Sequence, residues 1–276
     1  MPWVRLTFKW CTQLNGCNPA SVGPKLVRQQ VSIPDLHCLP GWFNELENLF
    51  GNSLLRNILT AFKRKERAFR TSFGSDITDP AERKKSLWHF NWLDHGILRR
   101  HWHNFAQIAP GVYRANHPNH ARFKAYADMG IKTILNLRGA AKQSHYLFVA
   151  ESCAAFDLIL VDVKMSARMA PSSKALRKLL ASFETMEKPF LIHCKSGADR
   201  TSLAAALYLM VVERQPLDIA RKQLSFRFLQ IKRSATGILD HFFDTYEARN
   251  AASPITIEDW IKTEYDPEVL TKSFAA

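Results

Sequence analysis

Residues 190–201 read Phe190-Leu191-Ile192-His193-Cys194-Lys195-Ser196-Gly197-Ala198-Asp199-Arg200-Thr201, and the apolar run Ser202-Leu203-Ala204-Ala205-Ala206-Leu207-Tyr208-Leu209-Met210-Val211 follows at once. The pattern is a buried strand, a tight loop and a helix. A cysteine closes the strand, a glycine sits midway along the loop, and an arginine follows after five intervening residues, giving H-C-x5-R-T. Backbone N–H groups of residues 195 to 200, curled at the start of a helix, form a nest of donors reinforced by the positive end of the helix dipole. Gly197 lets that backbone curl. Arg200 can fold back and grip two oxygens of a phosphate dianion with its planar fork. The same helix start and Arg200 would depress the pKa of Cys194, so that it attacks as a thiolate and forms a phosphocysteine intermediate. Thr201 can offer its hydroxyl to the sulfur when the second step expels it. His193 precedes the nucleophile, points to the other side of the strand, and is read as a support for the loop.

A lone cysteine before a helix is more often a small buried hydrophobe than a nucleophile. Here His, Cys, Gly, Arg and Thr stand in register between a strand and a helix, which is the context that gives the motif meaning. The stretch resembles the active-site loop of the cysteine-dependent tyrosine and dual-specificity phosphatases. The resemblance runs over roughly residues 108 to 245. It includes Gly111-Val112-Tyr113-Arg114-Ala115-Asn116-His117-Pro118, similar to the opening strand of bacterial and plant members, and Ile134-Leu135-Asn136-Leu137-Arg138, similar to their second strand. It implies an α/β fold with a central, mostly parallel sheet flanked by helices, no metal or organic cofactor, and a phosphorylated substrate.

Composition agrees with an enzyme of anionic partners. The chain has 276 residues, 38 Lys and Arg against 25 Asp and Glu, and a formal charge of +13. Such a balance suits a membrane surface, nucleic acid or a phosphorylated substrate. No recognisable nucleic-acid module accompanies the basic residues, so no nucleic-acid partner is expected. Five cysteines (Cys11, Cys17, Cys38, Cys153 and Cys194) show no metal-ligand spacing, and an odd number fits a reducing compartment without a disulfide framework. No apolar run approaches the length that spans a bilayer. The start is broken by polar residues too early for a signal peptide. These features set the expectation of a cytoplasmic protein.

Taken in order, residues 1–50 lack sustained periodicity and carry Pro19, Pro24, Pro34 and Pro40, which reads as a poorly ordered segment. Residues 51–104 read as a helical extension. Within it Leu54, Leu55, Ile58, Leu59 and Phe62 recur at helical spacing, with Lys63, Arg64, Lys65, Arg67 and Arg70 crowding the end of the stripe. Two readings stand: a docked helix with a solvated basic face, or an amphipathic helix over 54–70 lying on an anionic membrane surface, peripheral on its inner face. Phe69, Trp88, Phe90, Trp92, Trp102 and Phe105 could anchor such an interface or pack as core. Asp79 and Pro80 start a helix to about residue 90. His89, His95, His101 and His103 have no convincing metal spacing and are read as structural.

The phosphatase-like domain is expected over 105–250. Strands are expected at 108–113, 131–137, 158–163 and 189–193, and helices at 119–129, 141–155, 171–186, 202–214, 217–226 and 238–249. Strands alternating with helices place a site at the carboxyl ends of the strands, where Cys194 sits. The tail, 251–276, carries one short helical signal over 257–263.

A leaving oxygen must be protonated, and the family takes an Asp from a loop after the preceding strand. The loop Lys164-Met165-Ser166-Ala167-Arg168-Met169-Ala170 has no carboxylate. The nearest candidate is Asp162, 32 residues before Cys194, in a Val161-Asp162-Val163 setting that resembles the acid position of phosphatidylglycerophosphate phosphatases of the family. A role as loop cap stands beside that reading. Asp199 is the rival acid, because myotubularin-like lipid phosphatases carry Asp at the place before the loop Arg. Lys195 resembles the basic loop residue of lipid-directed members. The set expected at the site is therefore Cys194, Arg200, Asp162 and Thr201 for catalysis, with Lys195, Ser196, Gly197, Ala198, Asp199 and Arg200 holding substrate. The substrate reading placed first is an acidic membrane phospholipid monoester; a phosphotyrosine or dual-specificity protein phosphatase is the second, and a phosphate-binding pseudophosphatase the third, conditional on Asp162 not facing Cys194. A rhodanese-type sulfurtransferase shares the cysteine loop but not the company of His193, Arg200 and Thr201.

Overall fold

Pro110 and Gly111 split the apolar stretch expected as one strand over 108–113 into a tight hairpin. Proline cannot donate to the ladder, and Gly111 takes φ +74°, a conformation that a side chain resists. β1 (Ala106–Ala109) and β2 (Val112–Ala115) therefore pair antiparallel about the turn, and the single-strand expectation is corrected. The computed structural model describes residues 76–231 and 234–275, with Thr60, Ala61 and Arg64 besides, all within one compact unit spanning Thr60–Ala276. The expected segment 1–50 lies outside the described residues, as does the expected basic helix over 54–70 apart from those three positions.

Helix starts follow the sequence signals. Asp79 caps α1 (Pro80–Trp88), its Oδ1 accepting from the N–H groups of Ala81 at 3.0 Å and Glu82 at 2.8 Å. One π-helical turn, His89–Leu93, continues it. Asn119 caps α2 (His120–Asp128), and Ser172 caps α4 (Ser173–Thr185). Between them lie β3 (Thr133–Asn136), α3 (Ser144–Ala155) and β4 (Ile159–Asp162), and β5 (Phe190–His193) follows α4.

The sheet order is β1-β2-β5-β3-β4, with every pair parallel except β1 with β2. Alternation along the strands divides the core into two layers. Leu191, Ile134 and Ala115 face Phe123 and Tyr126 of α2 and Val149 and Cys153 of α3. Phe190, Ile192, Val112 and Leu135 face Leu176 and Leu179 of α4 and the helices after the loop, and Cys194 belongs to this second layer.

The helix after the loop, α5 (Asp199–Val211), buries Leu203 to Tyr208 completely. A helix apolar all round belongs inside a core, and three successive alanines let it lie close to the sheet. The helix expected over 217–226 is one turn, α6 (Leu217–Ala220), followed by 3-10 turns at Arg221–Gln223 and Phe226–Phe228. The Arg114 guanidinium takes the Gln223 carbonyl at 3.2 Å, so that carbonyl serves a buried cation instead of a helical ladder. After α7 (Ile238–Ala252), the tail forms α8 (Ile257–Thr263) and a second helix, α9 (Pro267–Ala275), not expected from sequence. Trp260, Ile261, Tyr265 and Leu270 pack into the core.

Candidate active site

β5 aims the nucleophile. His193, its last residue, is in register with Ala115 of β2 and Asn136 of β3, so the next residue, Cys194, emerges at the carboxyl edge of the sheet, 1% exposed. Gly197 then turns the loop at φ +72° and donates its N–H to Cys194 Sγ at 3.2 Å. A Cβ there would come within 2.7 Å of Asn116 N and 2.8 Å of the Ala115 carbonyl atoms. Only glycine fits so close an approach. The first ladder bond of α5 runs from Ser202 N–H to Ala198 O at 3.1 Å, which leaves the N–H groups before it at the mouth of the helix.

Burial pushes the Cys194 thiol up, but the Arg200 guanidinium and the hydroxyl and N–H of Thr201 outweigh it, and the thiol is held below its usual value. The site therefore favours a thiolate. Among the described residues Thr201 Oγ1 is buried with no partner at strict hydrogen-bond distance, yet it lies close enough to the sulfur to favour its charged form. Arg200 reaches only the Met165 carbonyl, at 3.5 Å, and its buried Nε has no partner among the described residues. Its donors are nearly all uncommitted, as a bidentate grip on phosphate oxygens requires. Ser196 Oγ accepts from the Ala198 N–H at 3.4 Å.

His193 lies on the α2 and α3 face, with Nδ1 3.3 Å from the Cys194 carbonyl. Burial pushes its pKa to about 3, against the opposing pull of that carbonyl. A neutral imidazole in this place supports the loop and takes no proton from substrate.

Several supports escaped the sequence reading. Arg114, wholly buried on β2, donates to the Gly197 carbonyl at 2.6 Å and Ser202 Oγ at 2.8 Å, and the Phe228 ring covers it at 3.6 Å. Burial lowers its pKa to about 9, with the Cys194 charge opposing, so it stays a cation beneath the loop. Asn104 Nδ2 bridges the Ser196 and Phe228 carbonyls at 3.1 and 3.0 Å. Asp94 receives Arg138 bidentately at 2.7 and 2.8 Å and Arg99 at 2.8 Å, and Lys195 Nζ stands 3.5 Å away. Burial raises the Asp94 pKa, but Arg138, Arg99 and Lys195 overcome that and hold it well below the carboxylate range. An arginine inside a buried strand was the available signal for Arg114. Asp94 had none, since Arg138 and Lys195 are distant in sequence and Arg99, five residues on, carries no signal by itself.

The two candidate acids fall on opposite faces of the sheet. Asp162 is paired in register with Asn136, on the His193 side; it accepts from Asn136 Nδ2 at 2.8 Å and from the Tyr146 hydroxyl at 2.7 Å. Its charge acts on Cys153 and Tyr146. The structure does not bring it to Cys194. Asp199 opens α5 and its charge does act on Cys194. Burial raises the Asp199 pKa against the Thr236 hydroxyl, its own N–H, Arg200 and Arg168, the direction a proton donor needs. A cavity of about 200 Å³ bounded by Arg83, Phe90, His120 and Phe148 sits against α2 and α3, away from the sulfur.

A family profile described as a DSP-PTPase phosphatase fused to NAD+ kinase matches residues 109–236, from the hairpin through the cysteine loop to the last turn before α7. The matched segment is a cysteine-dependent phosphatase domain of the tyrosine and dual-specificity type. It is a phosphoric monoester hydrolase. No curated protein matches the chain. Among solved structures the phosphatase is similar to P. aeruginosa TpbA (17% identity, 63% of this chain and 92% of that one, TM-score 0.41). It is similar to the core catalytic domain of the PP-IP phosphatase SIW14 from S. cerevisiae (22%, 54% and 91%, TM-score 0.42), and to PTPMT1 (15%, 54% and 99%, TM-score 0.41). Among the described residues no cluster of His, Cys, Asp and Glu could hold a metal ion, and no helix is long and apolar enough to cross a membrane.

Proposed function

We propose that this phosphatase hydrolyses an acidic membrane phospholipid monoester, phosphatidylglycerophosphate- or phosphoinositide-like, through a phosphocysteine intermediate with Asp199 as proton donor. The Cys194 thiolate attacks phosphorus while the bond to the leaving oxygen breaks, and the Asp199 proton passes to that oxygen. Water then attacks the phosphocysteine, returns a proton to the Asp199 carboxylate, and expels the thiolate toward the Thr201 hydroxyl. Arg200 and the N–H groups of Lys195 to Arg200 hold the three phosphoryl oxygens throughout.

The substrate reading is carried by the charge beside the nucleophile. Asp94 supplies one negative charge to Arg138, Arg99 and Lys195 together. A surplus of positive charge next to the reactive phosphate favours a substrate with a second anionic group close by, as the phosphodiester of such lipids provides. The pseudophosphatase reading is conditional on Asp162 not facing Cys194; the Asp199 carboxylate within the loop, whose charge acts on Cys194, supports turnover over mere binding.

The test is phosphate release by wild type and Cys194→Ser from short-chain phosphatidylglycerophosphate, a phosphoinositide and a phosphotyrosine peptide. Preference for lipid with a dead serine variant supports the proposal. Preference for the peptide transfers it to a protein phosphatase, and no turnover of any of them overturns it.

A further inference from the structure

We propose that the segment Phe226–Ile231 is a lipid-docking rim that seats the active site on an anionic bilayer surface. The inference rests on the lipid-substrate reading above and adds the surface that would deliver such a substrate. Phe226 is 75% exposed, Leu229 45% and Ile231 54%. Between them Phe228 and Gln230 are buried, the first over Arg114 and the second donating to Asp240. The segment is thus pinned by its inward residues while its large apolar ones stand in solvent.

Its position ties it to the nucleophile loop. Asn104 holds the Phe228 carbonyl and the Ser196 carbonyl with one amide, and Arg114, beneath Phe228, holds the Gly197 carbonyl. Two other segments touching the loop also expose apolar side chains. Trp92, 56% exposed, and Leu98, 61%, flank Asp94, the partner of Lys195; Met169, 65%, lies in the loop whose Met165 carbonyl Arg200 contacts.

The partner follows from the chemistry of the rim. The described stretch Phe226-Arg227-Phe228-Leu229-Gln230-Ile231 sets a cation among apolar residues, the combination that settles at an anionic lipid interface, with the apolar groups at the acyl boundary and the cation among headgroups. The turn offers no free strand edge and no helical groove, the features that peptide recognition uses. Leu229 sits at φ +59°, in the left-handed region that Gly or Asn occupies at lower cost.

Phe226→Ser/Ile231→Ser tests the rim with the full chain, since neither side chain is packed inside. Vesicles of phosphatidylcholine with and without phosphatidylglycerol serve as probes in sedimentation, and turnover is read on an aryl phosphate, on short-chain lipid below its micellar concentration, and on vesicle-borne lipid. The expected result is wild-type binding to the anionic vesicles only, and a loss of tenfold or more in the variant in both vesicle binding and vesicle turnover, with the two soluble substrates unaffected. Equal vesicle binding by wild type and variant overturns the rim, even if the lipid is a substrate. Vesicle binding lost in the variant while wild type ignores short-chain lipid keeps the rim and overturns the substrate reading. Reduced turnover in the variant of a phosphotyrosine peptide, run as a further substrate, without change on vesicles, overturns the rim in favour of a protein-docking surface.

Discussion

Asn136 Nδ2 donates to the Asp162 carboxylate at 2.8 Å, and because Asn136 is in register with His193, this pair lies on the sheet face turned away from Cys194. The carboxylate at the strand end is thereby occupied in joining β3 and β4 to Tyr146 of α3. Asp199→Ala is expected to lower kcat by about 10²–10⁴, the usual worth of a proton donor, on substrates with a poor leaving group. Asp162→Ala is expected to leave kcat within a few-fold and to cost about 1–2 kcal/mol of stability, for two lost hydrogen bonds. Steady-state kinetics and urea unfolding on both variants check the pair.

The pH profile follows from the directions of the two shifts. The thiolate is the active form, so activity is lost as pH falls through the Cys194 pKa, which Arg200 and Thr201 hold below the usual thiol value against burial. The acid must be protonated, so activity is lost as pH rises through the Asp199 pKa, which burial raises. A bell results, its ascending limb below about 8.5 and its descending limb above about 3.9, the ordinary values of the two groups. Asp199→Asn is expected to remove the descending limb of kcat and keep the ascending limb of kcat/KM.

Gly197→Ala puts a methyl group within 2.8 Å of the Ala115 carbonyl and 2.7 Å of Asn116 N, at φ +72°. The loop must shift, and the Gly197 N–H moves off the sulfur. A displacement near 1 Å costs about 100-fold in rate. We expect that fall in kcat with a smaller change in KM, measured on an aryl phosphate.

Asp94→Asn leaves Arg138, Arg99 and Lys195 without their shared carboxylate. Breaking a buried ion pair from one side costs about 3–5 kcal/mol. Because the Asp94 pKa is depressed in the folded chain, its contribution is present above the unfolded carboxylate value near 3.9 and is lost as pH falls through the lower folded value. The stability gap between wild type and variant, read by urea unfolding, is therefore expected to be full at pH 7 and to narrow below about pH 4. Freed from Asp94, Lys195 also loses its fixed place, and KM for a doubly anionic substrate is expected to rise.

The order of strands and helices around Cys194 was legible because most elements carry a local signal: Asp79-Pro80 at a helix start, and a mostly apolar run for each buried strand. The nucleophile loop was legible because its residues are contiguous. What did not show in the sequence depends on contacts distant along the chain. Arg114 meets Gln223 across 109 positions, and its grip on that residue ends a helix that local propensity would continue. The choice between Asp162 and Asp199 turned on the side of the sheet each faces, and a shift of one residue in a strand reverses that. The helix over 257–263 was legible, but the helix Pro267–Ala275 that brings Leu270 into the core was not.

The central claim is that Cys194 carries the phosphoryl group between the two steps, and acid-quenched turnover followed by mass analysis of the peptide spanning residue 194 tests it most directly. With wild type, and still more with a variant slowed in hydrolysis, the account predicts one phosphoryl increment on Cys194, formed together with a burst of leaving group and absent in Cys194→Ser. Steady turnover with no burst, no modified Cys194 peptide and an active Cys194→Ser variant would contradict it.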